Sequence, residues 1–217
     1  MKYADYIKQI EIDSLWSGTR HIVWNLDRQV NVLSGINGVG KSTILNKVIK
    51  GLLEGNNLIS ELPPSVKITV SPDDADRVRY DIIRSFDRPL MSSDTVAKVD
   101  KRLATELDWQ LFQLQRKYLD YQVNVGNRMI EVLQKGGPDA AATAQQLSSA
   151  KVLFQDMMDK LFADTGKTII RTQNEIRFSQ LGETLVPYQL SSGEKQILAI
   201  LLTVLIQDHQ PYVLFMD

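Results

Sequence analysis

Between residues 7 and 33, apolar and polar positions alternate in short stretches. Ile10 and Ile12 are interleaved with Gln9 and Glu11. His21-Ile22-Val23-Trp24 follows a break at Ser17-Gly18, and Gln29-Val30-Asn31-Val32-Leu33 comes soon after. A period of two sends successive side chains to opposite faces of a pleated strand, so these stretches predict three short strands, each with one buried and one wet face. After Leu33 the period changes. Ile44, Leu45, Val48, Ile49 and Leu52 recur at helical steps and predict a helix that stops at Gly55-Asn56-Asn57. Pro63-Pro64 then marks a turn. Residues 66–70 and 78–83 alternate again, which predicts a hairpin around Ser71-Pro72-Asp73-Asp74.

From about residue 93 the texture is different. Leu103, Leu107, Leu111, Leu114, Tyr118 and Tyr121 begin a stripe that continues to Val132 at steps of three and four, the signature of one long amphipathic helix. Gly136-Gly137-Pro138-Asp139 stops it, and Leu147, Ala150, Phe154, Met158 and Leu161 carry a second helix back. Strands return over residues 168–171 and 175–178, with Gln173-Asn174 as the turn. A very apolar helix follows Gln189 and ends near Gln207, and Tyr212-Val213-Leu214-Phe215-Met216-Asp217 reads as a buried strand closed by an acid. The pattern predicts an α/β chain in three parts. Residues 1–92 form an N-terminal antiparallel β layer and a loop–helix core, 93–165 a helical-hairpin insertion, and 166–217 a β-hairpin, an apolar helix and the last strand of the core.

Composition narrows the chemistry. Hydrophobic residues are 43% and charged residues 24% of 217, the profile of a folded globular chain. Twenty-five Lys+Arg face 26 Asp+Glu, a net charge of −1, so nothing in the charge favours a nucleic-acid partner. There are no cysteines, which excludes thiolate metal sites, disulfides and Cys nucleophiles, and two histidines, His21 and His209, are too few for a His-rich metal centre. They are read as structural or surface residues. The N-terminus has no signal-peptide core, and the longest apolar run, near residues 197–206, falls well short of the ~20 residues that cross a bilayer. The expectation is a cytoplasmic protein without a membrane partner.

The strongest chemical signal lies between the third predicted strand and the first predicted helix. Gly35-Ile36-Asn37-Gly38-Val39-Gly40-Lys41-Ser42 fits G-x-x-x-x-G-K-[ST] in full. Glycines let backbone N–H groups curl around phosphate oxygens, and the helix that begins at Lys41 turns its positive end to the same anion. Lys41 supplies a mobile point charge for the β and γ oxygens, Ser42 a hydroxyl for Mg2+, and Thr43 a hydroxyl for the α-phosphate. A nucleoside triphosphate and Mg2+ are the expected ligands.

A phosphate loop alone does not choose among kinases, GTPases and motor-type ATPases. Leu190-Ser191-Ser192-Gly193-Glu194-Lys195-Gln196 resembles the signature sequence of ABC-type ATPases, with Ser192 and Glu194 in place of a Gly and a Gln of the transporter version. With the phosphate loop and the terminal apolar strand, the chain resembles an ABC-type ATPase head of the RecF/SMC-like branch, close to the AAA-labelled ABC ATPases of bacteria. The resemblance implies a P-loop NTPase fold and a head-to-head homodimer. In it Ser191 and the Gly193 N–H face a triphosphate held by Lys41 of the other copy. It also makes residues 212–217 a Walker B strand, with Asp217 holding Mg2+ through its water shell beside Ser42. From the residues alone, Ser191 and Glu194 have the spacing of a capping box, so Ser191 has a second reading as the cap of its own helix.

Departures from the family pattern accompany these matches. The family's catalytic Glu follows the Walker B Asp, a position after Asp217, so the expectation is a chain that binds Mg-ATP and hydrolyses it poorly, with an open sheet edge where later strands belong. In place of the family's glutamine loop stands Ser85-Phe86-Asp87-Arg88-Pro89-Leu90, where Asp87 is either a substitute oxygen ligand or a turn residue. Trp16, beside Ser17-Gly18, is preferred over Trp24 as the adenine-stacking surface. Arg20 reads as an exposed strand-end residue. The implied function is ATP binding that drives dimerisation, with hydrolysis in the intact protein, in DNA repair or phage defence. The alternative is a non-catalytic module whose nucleotide binding docks a partner such as a nuclease subunit. A kinase or GTPase reading lacks support, because no Asn-Lys-x-Asp is present.

Overall fold

The computed structural model describes residues 1–16, 18, 20–83 and 103–216. Strands β1 (Tyr6–Leu15) and β2 (Arg20–Asn25) precede helix α1 (Lys41–Glu54), which is followed by β3 (Val66–Ser71) and β4 (Tyr80–Ile83). Two long helices come next, α2 (Glu106–Lys135) and α3 (Ala140–Leu161), then β5 (Thr168–Ile169), β6 (Phe178–Gln180) and β7 (Glu183–Leu185). Helix α4 (Ser192–Ile206) and strand β8 (Val213–Met216) complete a mixed α/β chain. It divides into two compact units, Met1–Ile83 with Gln210–Asp217, and Arg84–His209. This division differs from the sequence-based grouping, because α4 clusters with the helical hairpin. The expected boundary at residue 92 lies outside the described residues.

In the first unit, β2-β1-β3 form an antiparallel sheet. Ile10 stands opposite Trp24 and Ile68, and Ile12 opposite Ile22 and Val66, so the middle of β1 turns an apolar face to the core. Val48, Ile49 and Leu52, one stripe of α1, share a buried cluster with these isoleucines. That cluster gives the loop before α1 a fixed support. The alternation read from the sequence for β1, β2 and β3 is therefore a real pleat over a core.

Two strand predictions fail here, each for a local reason. Residues 29–33 are not a strand, and Val30 and Val32 are 76% and 79% exposed. Asp27 organises a turn instead. Its carboxylate accepts the Gln29 N–H, its own N–H donates to Asn31 Oδ1, and Asn31 Nδ2 donates back to the Asp27 carbonyl. Such side-chain bonds compete with a strand ladder for the same backbone groups. Residues 80–83 do form a strand, yet not a hairpin with β3. β4 pairs in parallel with β8, Tyr80 opposite Val213 and Ile83 opposite Met216, with the Tyr80 ring edge-on to Phe215 at 6.1 Å.

The second unit is built on the helical hairpin, as its period predicts. Leu107, Leu111, Leu114 and Tyr118 of α2 meet Phe154 and Met158 of α3 and Leu198 and Leu202 of α4 in one cluster. Burial pushes the Tyr118 phenol up to about 12. The small sheet β5-β6-β7 differs from expectation. β5 keeps only the first half of the expected 168–171, β6 is displaced and shares only Phe178 with the expected 175–178, and β7 was not anticipated although Leu181-Gly182, both with positive φ, makes a two-residue hairpin turn between Gln180 and Glu183. Among the described residues no helix is long and apolar enough to cross a membrane. Leu202 is fully buried, so Leu202→Ala is expected to lower stability by about 3 kcal/mol, read from the shift of the urea unfolding curve at constant slope.

Candidate functional site

The phosphate-loop sequence sits in the first unit as an exposed turn leading into α1. Gly38 and Gly40 have φ of +84° and +101°, a left-handed geometry that favours glycine. Gly40 has a second constraint: a Cβ there would overlap the Trp16 indole. Trp16 therefore lies against the loop, with 46% of its surface exposed. Trp24 packs with Ile22 on the first-unit core, so Trp16 is the one of the two candidates beside the loop.

Gly40 occupies the cap position of α1, no side chain caps it, and no acid stands in its first turn. The start of a 14-residue helix thus carries neither a side-chain cap nor an acid in its own first turn against its positive end. Lys41 folds back over the loop, its Nζ donating to the carbonyls of Gly35 at 2.8 Å and Ile36 at 3.1 Å. Ser42 is half-buried in the first turn, and Thr43, Ile36, Asn37 and Val39 are exposed. An ammonium, glycine backbone and a helix N-terminus on one exposed turn suit an anion of several oxygens. Ser42 could offer its hydroxyl to a metal beside that anion. Asp217 and Asp87, the other expected oxygen donors, lie outside the described residues.

The signature sequence sits in the second unit. Ser191 is the N-cap of α4, and the reciprocal bonds of a capping box are formed. Glu194 Oε2 accepts the Ser191 N–H at 2.9 Å and its hydroxyl at 3.0 Å, while the Glu194 N–H donates to Ser191 Oγ at 3.4 Å. The other carboxylate oxygen accepts from Lys167 Nζ at 2.9 Å and Thr165 Oγ1 at 3.0 Å. Burial pushes the Glu194 carboxyl up, but these donors outweigh it and hold it down at about 2. Its neighbour Lys195 lies 2.8 Å from Asp108, both buried, and Asp108 also accepts the N–H groups of Ala104 and Thr105 at the start of α2. Ser191, Ser192 and Gly193 remain exposed on top of this buried ionic base. The structure thus realises the capping reading of Ser191, and a side chain at Gly193 would meet open space.

One cluster escaped the sequence reading. Glu11, Asp13 and His21 bring three metal-capable groups together on the outer face of the first sheet. His21 Nδ1 is 3.0 Å from Asp13, and Lys67 stands 3.3 Å from Asp13 and 3.8 Å from Glu11, so the carboxylates already share a cation. Glu11 and Asp13 share a face by their spacing, and the signal was hidden because it is the register of β1 with β2 that brings His21 to them. Arg20 is exposed, as expected. Comparison with known proteins gives no matching family model and no significant match to a curated protein or a solved structure.

Because the Glu194 carboxyl is lowered in the folded state, its contribution is fully present above its ordinary value of 4.5 and is lost as pH falls towards about 2. Unfolding curves taken across that window are expected to show a fall in stability that Glu194→Gln flattens, the difference reaching at most about 3 kcal/mol before solvent screening reduces it. An identical acid limb in both proteins would show that Glu194 is not the group responsible.

Proposed function

We propose that this chain binds Mg-ATP at residues 35–43 and that the nucleotide brings two copies head to head. Each triphosphate would lie between Lys41 of one copy and Ser191 and Gly193 of the other. The fold behind this reading is that of an ABC-type P-loop NTPase, RecF/SMC-like in character. The observation that carries it is the loop itself: a full G-x-x-x-x-G-K-[ST] run with positive-φ glycines at an uncapped helix start, its lysine resting on loop carbonyls. Those carbonyls are neutral acceptors, and a phosphate oxygen is a charged one. The ammonium gains a stronger partner when it leaves them.

The residues fit the ligand. Loop N–H groups and Lys41 would cradle the β and γ oxygens, and Trp16 offers a partly exposed ring beside Gly40 for the base. Ser42 would hold Mg2+ together with Asp217. Bound Mg2+ would draw charge from the β and γ oxygens. On the second copy, Ser191 would turn its hydroxyl from Glu194 to the γ-phosphate, and the Gly193 N–H would add a donor without a side chain in the way. Hydrolysis would then release the pair, so nucleotide state controls a clamp. The self-capped state of Ser191 supports a second reading, in which nucleotide binding only docks a partner subunit.

Calorimetric titration with Mg-ATP and light scattering with and without it test both halves. Lys41→Ala is expected to weaken nucleotide binding by about a hundredfold or more, a charge-assisted contact being lost. Gly193→Asp, on an exposed and unobstructed position, is expected to leave nucleotide binding intact while the ATP-dependent doubling of mass disappears. A wild-type chain that binds no nucleotide refutes the phosphate-loop reading. One that binds it and never changes mass refutes the sandwich and leaves the docking module.

A further inference from the structure

Helix α2 carries two apolar stripes, and only one belongs to the core. The buried stripe includes Leu111, Leu114, Tyr118, Tyr121 and Val125. On another face Leu119, Val123, Gly126, Ile130 and Leu133 recur at alternating steps of four and three, a sustained heptad spacing, and the same steps run back to Arg116 and Phe112. Val123 is five residues beyond the buried Tyr118, about 140° round the helix. Val123, Ile130 and Leu133 are 60%, 54% and 53% exposed, although they lie within regular helix. A solvated helix face needs no apolar residues at seven-residue intervals. A second helix packing along it does.

We infer that α2 pairs with α2 of a second copy through this outer seam, antiparallel and without nucleotide. The seam supplies its own complement. In an antiparallel pairing centred between Val123 and Gly126, Val123 meets the second copy's Gly126, large against small, and Leu119 meets its Ile130. Arg116 then falls opposite the second copy's Leu133, in the last turn of α2, where backbone carbonyls lack helical partners and a cation is favoured. Parallel pairing would instead set Arg116 against Arg116 inside the seam, a like-charge contact in a desolvated layer.

The flanks agree with this orientation. Gln113, Asp120, Asn127 and Gln134 line one flank and are exposed; antiparallel pairing sets Asp120 against Asn127, so no like charges meet. On the other flank Gln122 is already engaged, donating to the Asn174 carbonyl and accepting from Lys151, so that side is taken by the chain's own fold. Arg116 lies over the Phe112 ring at 5.4 Å, which keeps its guanidinium at the seam. Without nucleotide, a two-fold pairing of this kind closes on itself as a dimer. It uses neither the phosphate loop nor the signature turn, so it stands apart from the nucleotide-driven contact.

The full chain, free of nucleotide, is expected to sediment as a concentration-dependent dimer, and Val123→Glu with Ile130→Glu to weaken that dimer by about tenfold or more with an unchanged circular dichroism spectrum. Since the chain has no cysteine, orientation can be read by cross-linking. Leu119→Cys mixed with Ile130→Cys is expected to give a covalent dimer with a short bismaleimide, while either variant alone gives little. A nucleotide-free chain that stays monomeric at its solubility limit overturns the inference. So does a Leu119→Cys protein that cross-links to itself as readily as the mixture. Lys41→Ala keeps this dimer under the proposal, so loss of nucleotide binding and loss of the α2 seam are separate outcomes.

Discussion

An α-helix begins with backbone N–H groups that have no acceptor within the helix, and the chain meets this requirement in two ways. At α2 and α4 a hydroxyl and a carboxylate three residues apart close a capping box, Thr105 with Asp108 and Ser191 with Glu194. At α1 a glycine stands at the cap and no side chain serves it, and α3 too starts without a side-chain cap bond, although not on a glycine turn of this kind. The first solution fixes the helix start at a stabilisation of roughly 1 kcal/mol for each cap. The second leaves a positive helix end on an exposed, glycine-shaped turn, and the fold supports it from below through Val48, Ile49 and Leu52 in the first-unit core.

The capped starts of α2 and α4 are also coupled to each other. Asp108 serves the α2 N-terminus through one oxygen and Lys195 of α4 through the other, with both side chains buried. A second pair, Glu194 with Lys167, stands beside it. Removing charges from water is costly, and the cost is offset only where each carboxylate finds several donors. Glu194 has an ammonium, two hydroxyls and a backbone N–H; Asp108 has two backbone N–H groups on Oδ2, while its Oδ1 faces the Lys195 ammonium as an ion pair without a hydrogen bond. The two acids and two lysines balance, so the turn from Ser191 to Gly193 rests on a base of no net charge. That matters for any anion approaching the turn. An unbalanced Glu194 would repel it.

How much of this was legible in the sequence depends on whether a feature is local. The helices were read in kind and approximate extent, because heptad-like stripes, Gly136 and Ser191 are signals contained in a few turns of chain, while the Thr105 cap that starts α2 went unread. The α1 start was legible for the same reason: glycine, lysine and serine at fixed spacing say what the backbone does there. Strand partners were not. The side-chain bonds of Asp27 and Asn31 defeated an alternation that looked like β structure, and β4 found β8 across most of the chain. The Glu11–Asp13–His21 cluster and the Lys195–Asp108 pair depend on registers and helix packing that no spacing encodes. Trp16 falls between. Its loop position was readable, but its contact with Gly40 needed the fold.

On the proposed reading, the states of the two motifs set an order of events. Lys41 holds two neutral carbonyls, and exchanging them for phosphate oxygens replaces ordinary hydrogen bonds with charge-assisted ones, about twice as strong. That exchange is favourable within one copy. Ser191 holds an ionised carboxylate, and turning its hydroxyl to a phosphate replaces one charged acceptor with another. That exchange is nearly balanced and also breaks a capping interaction worth roughly 1 kcal/mol. Affinity for nucleotide therefore resides mainly in the phosphate loop, and the signature turn adds a small increment only once a second copy presents a loaded triphosphate. A motif so nearly balanced contributes little to holding nucleotide, but it can make the union of two copies depend on whether the γ-phosphate is there.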